Sequence, residues 1–120
     1  MHCLKAIRVV ASIALLALSL PTLSWSQSWT GTDVGAVGAA GSTTPGSGTV
    51  TINASGIDIG GTADEMHFAY VELSGDVEII ARLAELTRTH STQTKAGLMI
   101  RSTLAANASH ADSFIRSGGY

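Results

Sequence analysis

His67, Glu78, Arg82 and Arg101 are the side chains of this chain best suited to hold a ligand. Each lies in or beside a run in which apolar and polar residues alternate, and the alternation puts all four on the face opposite Phe68. Guanidinium and carboxylate groups suit paired hydroxyls such as those of a sugar, so this face is the expected binding surface. The same arginines and glutamate also make a solvated ion pair, which contributes little when exposed. Asp58, Asp64 and Glu65 cluster around Gly60-Gly61, but without the D-x-[DN]-x-[DN]-G spacing of a calcium loop. Asp64 is therefore expected to hydrogen-bond the turn that enters the next strand. His67, His90 and His110 form neither an HExxH motif nor a close cluster, so no metal or other cofactor is assigned.

No catalytic residue is assigned either. The chain has no G-x-S-x-G motif, and its one cysteine, Cys3, lies at the extreme N-terminus. Glu72 and Glu78 are expected on opposite faces of a hairpin, which argues against a retaining glycosidase pair at about 5 Å. Gly35, Gly38 and Gly41 are spaced G-x-x-G-x-x-G with no helix after them, unlike a phosphate-binding loop.

The elements that must position these residues read as strands. Trp29 and Val34 sit on a short first strand inside the glycine-rich stretch 27–48, the rest of which reads as loop. Thr49 to Ala54 alternates with Val50, Ile52 and Ala54 on one face, and Ile57 to Ile59 is a further extended piece. Met66, Phe68 and Tyr70 then alternate with His67, Ala69 and Val71. After Ser74-Gly75, Val77, Ile79, Ala81 and Leu83 alternate with Glu78, Ile80 and Arg82. Matching the apolar faces predicts a hairpin of 66–73 with 77–83, in which Phe68 faces Ala81 and Tyr70 faces Ile79. The β-branched start of 77–86 favours strand over an amphipathic helix. A polar loop over 87–94, a strand over 96–102, one possible helical turn over 104–110 and a last strand over 111–117 complete the reading.

The first 26 residues stand apart. Lys5 and Arg8 precede an unbroken run of apolar and small residues from Val9 to Leu20, followed by Pro21 and by Ser24-Trp25-Ser26. This is the pattern of a signal-peptide helix, with a run short of the about 20 residues a membrane span needs. Residues 1–26 are read as the leader and 27–120 as one small domain, placing the protein outside the cell or in the periplasm. That domain carries five basic and nine acidic residues, a formal charge of −4 with neutral histidines. Such a surface argues against nucleic acid, and against a membrane after cleavage. It retains no cysteine, so burial alone must hold it.

Several phrases together resemble a bacterial concanavalin A-like β-sandwich family of unknown function, also called regulation-of-enolase-like and related to the C-terminal module of β-xylosidases. They are Trp29 to Gly38 (WTGTDVGAVG), Ser55 to Tyr70 (SGIDIGGTADEMHFAY), Leu73 to Leu83 (LSGDVEIIARL) and Lys95 to Arg101 (KAGLMIR), with His110-Ala111 at the next strand start. Ser102 stands where that family commonly has a carboxylate. The resemblance implies an all-β jelly-roll of two antiparallel sheets, of which this chain would hold the N-terminal half. The remaining half, or neighbouring domains, would then be its covalent partners. The implied function is a secreted, non-catalytic module that binds a polysaccharide or cell-surface glycan. The alternatives are a structural or adhesion module without a glycan, and a glycoside hydrolase of the same superfamily. Exported protein is expected to begin at Gln27; N-terminal sequencing that finds residues before Ser24 would refute this.

Overall fold

The computed structural model describes residues 2–11, 28–88 and 93–117. The described residues are all-β, in eight strands: β1 (His2–Ala11), β2 (Thr30–Val34), β3 (Ser42–Pro45), β4 (Val50–Gly56), β5 (Met66–Tyr70), β6 (Ala81–Arg88), β7 (Thr94–Arg101) and β8 (His110–Ser117). They form a four-stranded sheet in the order β3-β4-β1-β6 and two ribbons, β2-β5 and β7-β8. Every pairing is antiparallel.

Strands β4, β5, β7 and β8 lie where alternation places them. In β4, Val50 is buried and Ile52 and Ala54 are half-buried, so one face of the pleat turns inward. Among the described residues apolar contact is gathered in two clusters. Ile52 and Ala54 of β4 and Leu83 and Leu86 of β6 pack on Ala96. Val34, Met66 and Met99 form the other cluster, covered by Ile59, Phe68, Ala106 and Phe114. Ala96 and Met99 both belong to β7, three residues apart and therefore of opposite alternation class. A single strand thus takes part in both clusters.

The expected hairpin of 66–73 with 77–83 does not form. Strand β5 ends at Tyr70 and pairs with β2, so Phe68 faces Thr32 and Tyr70 faces Thr30. Residues 71–80 carry no strand, and β6 pairs with β1. The expectation weighed only the apolar match across Ser74-Gly75. Pairing with β2 instead sets Val34 opposite Met66, both buried, and Asp33 opposite His67. That register combines an apolar pair with a charge-assisted hydrogen bond.

Strand β3 falls in the stretch read as loop. It is a short polar edge strand ending at Pro45, joined to β4 by a turn in which Gly46 N donates to Thr49 O at 2.7 Å. Residues 57–59 are not a strand, and Ile57 is 67% exposed. Residues 104–110 hold one turn, closed by Ala108 N donating to Ala105 O at 3.0 Å, and no helix. Residues 2–11, expected in the leader helix, are the strand β1 between β4 and β6. Ile7, Val9 and Val10 are β-branched, and two flanking strands supply partners for both edges of the backbone. The rest of the expected leader, residues 12–26 with the expected cleavage site, lies outside the described residues.

Among the residues of 28–117 whose burial is described, the buried apolar set is small: Val34, Val50, Met66, Ala96 and Met99. Ile57, Leu73, Ile80 and Ile115 are each more than half exposed. So little burial offsets the chain entropy only narrowly. Residues 27–120 expressed alone are expected to melt broadly and to self-associate. A sharp, cooperative circular-dichroism melt from a monodisperse monomer would overturn this.

Candidate functional site

The densest polar assembly is built around Asp64, which is 2% exposed. Its Oδ1 accepts from Gly60 N at 2.8 Å, and its Oδ2 accepts from Arg101 Nη1 at 3.1 Å. The expected turn-capping role of Asp64 is therefore present, joined to a buried ion pair. The Asp64 amide donates to Ala106 O at 2.8 Å. Arg101 spends its other donors on the loop after β7: Nε on Thr103 O at 2.7 Å and Nη2 on Ala105 O at 2.5 Å. Its guanidinium also lies 5.7 Å from the centre of the Phe68 ring, and Phe68 stacks on Tyr70 at 5.8 Å. His110 stands at the edge of this group, Nδ1 3.5 Å from Asp64 Oδ2 and Nε2 3.1 Å from Asp112 Oδ2.

A second assembly lies on the other face of β5. His67 Nδ1 is 2.6 Å from Asp33 Oδ1, and His67 Nε2 is 2.8 Å from the Thr43 hydroxyl. In the tautomer that donates Nδ1–H to Asp33, Nε2 accepts from the Thr43 hydroxyl. Gly41 N also donates to the Asp33 carboxylate at 3.1 Å. A Cβ at Gly31 would collide with the Thr43 side chain, and one at Gly41 with the imidazole. The order Thr–His–Asp is that of a nucleophile relay. Here, however, the Thr43 oxygen packs against Gly31 and the His67 side chain is only 4% exposed. The group acts as a clamp holding β3 against the β2-β5 ribbon.

The third feature is a cleft of about 140 Å³ beside β4, β5 and β7. Val50, Ile52, Ala54 and Phe68 are among its apolar lining, and Trp29, Ile57, Asp58, Glu65 and Lys95 also border it. Lys95 Nζ donates to Asp58 Oδ1 at 2.5 Å and to Ile59 O at 3.1 Å. Glu65 Oε2 accepts from Ile57 N at 3.2 Å, and Glu65 N donates to Asp58 O at 2.8 Å. The carboxylates of Asp58, Asp64 and Glu65 thus each accept N–H donors of the protein. Among the described residues no three His, Cys, Asp or Glu side chains converge as a metal site would require.

The four residues expected on one ligand face are not brought together. His67 is tied to Asp33 and Thr43 on one side of β5, and Arg101 reaches Phe68 and Asp64 on the other. Arg82 is exposed on β6, and Glu78 is exposed on the connection before it. The shared face required the 66–73/77–83 hairpin, and without that register it dissolves. The Asp33–His67–Thr43 clamp and the Asp58–Lys95 pair escaped sequence reasoning. Their members lie 24 to 37 residues apart in the chain, and no local motif links them. No family model matches the chain, and neither does any curated protein or solved structure.

Partial burial pushes the Asp33 carboxyl upward, but the hydrogen bonds from His67 and Gly41 and the attraction of His67 outweigh it. They hold the group below its ordinary 3.8. A depressed carboxylate contributes stability that is present above the unfolded value and lost as pH falls through the folded one. Resistance to urea, followed by Trp29 fluorescence, is therefore expected to fall as pH drops below 3.8. Asp33→Asn is expected to be weaker at neutral pH and to lose less on acidification. An unchanged acid limb in the variant would show that Asp33 contributes nothing there.

Proposed function

We propose that this chain is a secreted or periplasmic, non-catalytic carbohydrate-binding module of concanavalin A-like type, with its glycan in the cleft beside β4, β5 and β7. The observation that carries this reading is the make-up of the cleft. An indole ring, half-buried, stands at the same opening as a Lys95–Asp58 pair and the Glu65 carboxylate. A sugar has an apolar face and a rim of hydroxyls, and such an opening offers a partner for each. The antiparallel all-β architecture supports the same reading, as does the resemblance of the Trp29, Ser55–Tyr70 and Lys95–Arg101 phrases to that family. A polysaccharide or cell-surface glycan is the partner class.

The hydrolase alternative is less well supported. A glycosidase needs one carboxyl group raised so that it can donate a proton. Asp58, at the cleft, is shifted the other way: the Lys95 hydrogen bond holds it below its ordinary value against partial desolvation.

The test is titration with soluble plant and bacterial polysaccharides in affinity electrophoresis. Trp29→Ala is expected to weaken binding by about tenfold, the worth of one aromatic contact. Arg82→Ala, remote from the cleft lining, is expected to leave it unchanged. Equal loss in both variants would move the site to the exposed face of β6. Absence of binding to every polysaccharide would favour the structural module without a glycan.

A further inference from the structure

The strand between β4 and β6 is the segment that export is expected to remove. Strand β1 is antiparallel to both neighbours, so β4 and β6 run parallel to each other with one strand between them. Without β1 they would stand two strand spacings apart, about 9–10 Å. At that distance neither can hydrogen-bond the other, and a row of backbone donors and acceptors is left on each.

Two observations indicate that the slot outlasts its occupant. Its walls are also joined through β7: Ile52 and Ala54 of β4 and Leu83 and Leu86 of β6 share the cluster on Ala96. The fit of β1 is also imperfect. Its ladder with β4 shifts register between Leu4 and Ile7. Its ladder with β6 shifts between Leu4 and Ala6 and again between Arg8 and Val9. A strand shaped by the sheet would keep register with both walls. A leader instead has its sequence set by export, with basic residues followed by an apolar run.

We propose that the β4–β6 slot is a strand-acceptor site. The leader fills it in the unprocessed chain. After processing it takes an extended segment of another polypeptide, antiparallel to both walls, free of proline and apolar at alternate positions. Backbone hydrogen bonds on two edges would give affinity, and the Ile52–Leu83 side of the slot would select the alternating apolar residues. This inference rests on the reading of residues 1–26 as a cleaved leader.

The native cysteine makes the slot testable in the full chain. Cys3 faces Ser55 across the β1–β4 ladder, and directly opposed residues of an antiparallel pair come within disulfide range. Ser55→Cys in the unprocessed 120-residue chain is expected to form a disulfide from Cys3 to position 55 on mild oxidation. Ser47→Cys, in the exposed turn before β4, is expected not to. Ser55 is buried and donates to Val37 O, so a second probe on the other wall guards against misfolding. Arg8 faces the exposed Glu85, and Cys3→Ser/Arg8→Cys/Glu85→Cys is expected to close a disulfide between positions 8 and 85. Processed Ser55→Cys protein is then mixed with a synthetic peptide of residues 2–11. A mixed disulfide several-fold above that of a scrambled peptide is expected.

Failure to cross-link on either wall, or equal capture of the scrambled peptide, would overturn the proposal. Processed protein that closes its slot with a second copy would elute as a dimer that the peptide dissociates, which supports the site and identifies its occupant. A dimer indifferent to the peptide would count against it. If N-terminal sequencing finds the leader retained, the secretion reading fails separately, while the two intramolecular disulfides still decide whether β1 occupies the slot.

Discussion

The ion pair between Asp64 and Arg101 is the interaction on which the largest part of this structure depends. Both side chains are almost wholly shielded, at 3% and 2% exposure. Two charges taken out of water are tolerable only when each is paired and its remaining hydrogen-bonding capacity is met. Both oxygens of Asp64 are used, and Arg101 donates through Nε, Nη1 and Nη2. The consequence is topological. Asp64 ends the loop that enters β5, Arg101 ends β7, and the carbonyls they capture belong to the connection leading to β8. Removing either charge would strand the other in a dry site, a loss of about 3–5 kcal/mol in comparable buried pairs.

Around that pair the fold is a set of small sheets joined by polar clamps as much as by a common core. Strand β7 supplies Ala96 to one apolar cluster and Met99 to the other. The Asp33–His67–Thr43 chain holds the edge strand β3 against the β2-β5 ribbon. The Asp58–Lys95 pair ties the loop before β5 to the start of β7 and borders the cleft. A polar clamp needs its partners at hydrogen-bond distance with little tolerance, whereas apolar packing accepts more variation. The cleft therefore lies where three clamped elements meet, and its polar rim is held by the same contacts that hold the fold.

Strand content was legible in the sequence because alternation is a local property. Val50, Ile52 and Ala54, or Met66, Phe68 and Tyr70, announce a pleated segment whatever it pairs with. The turn-capping carboxylate of Asp64 was legible for the same reason: Gly60 is four residues away. Strand β3 was not, since Ser42, Thr43 and Thr44 carry no apolar alternation and the flanking glycines suggest a loop. The candidate site was legible only in fragments. Trp29 was legible only as part of the short first strand, while the partners that give it a cleft were spread over residues 50 to 114.

Which strand lies beside which was decided by tertiary structure alone. Two apolar faces can be matched in many registers, and the pairing of 66–73 with 77–83 satisfied alternation as well as any other. The choice of β2 as the partner of β5 is made by Asp33 meeting His67 and Val34 meeting Met66, contacts between residues more than thirty positions apart. The sequence by itself determined an antiparallel all-β chain. Its tertiary structure decided that His67 and Arg101 lie on opposite sides of one strand, because pairing energy depends on residues that local pattern does not connect.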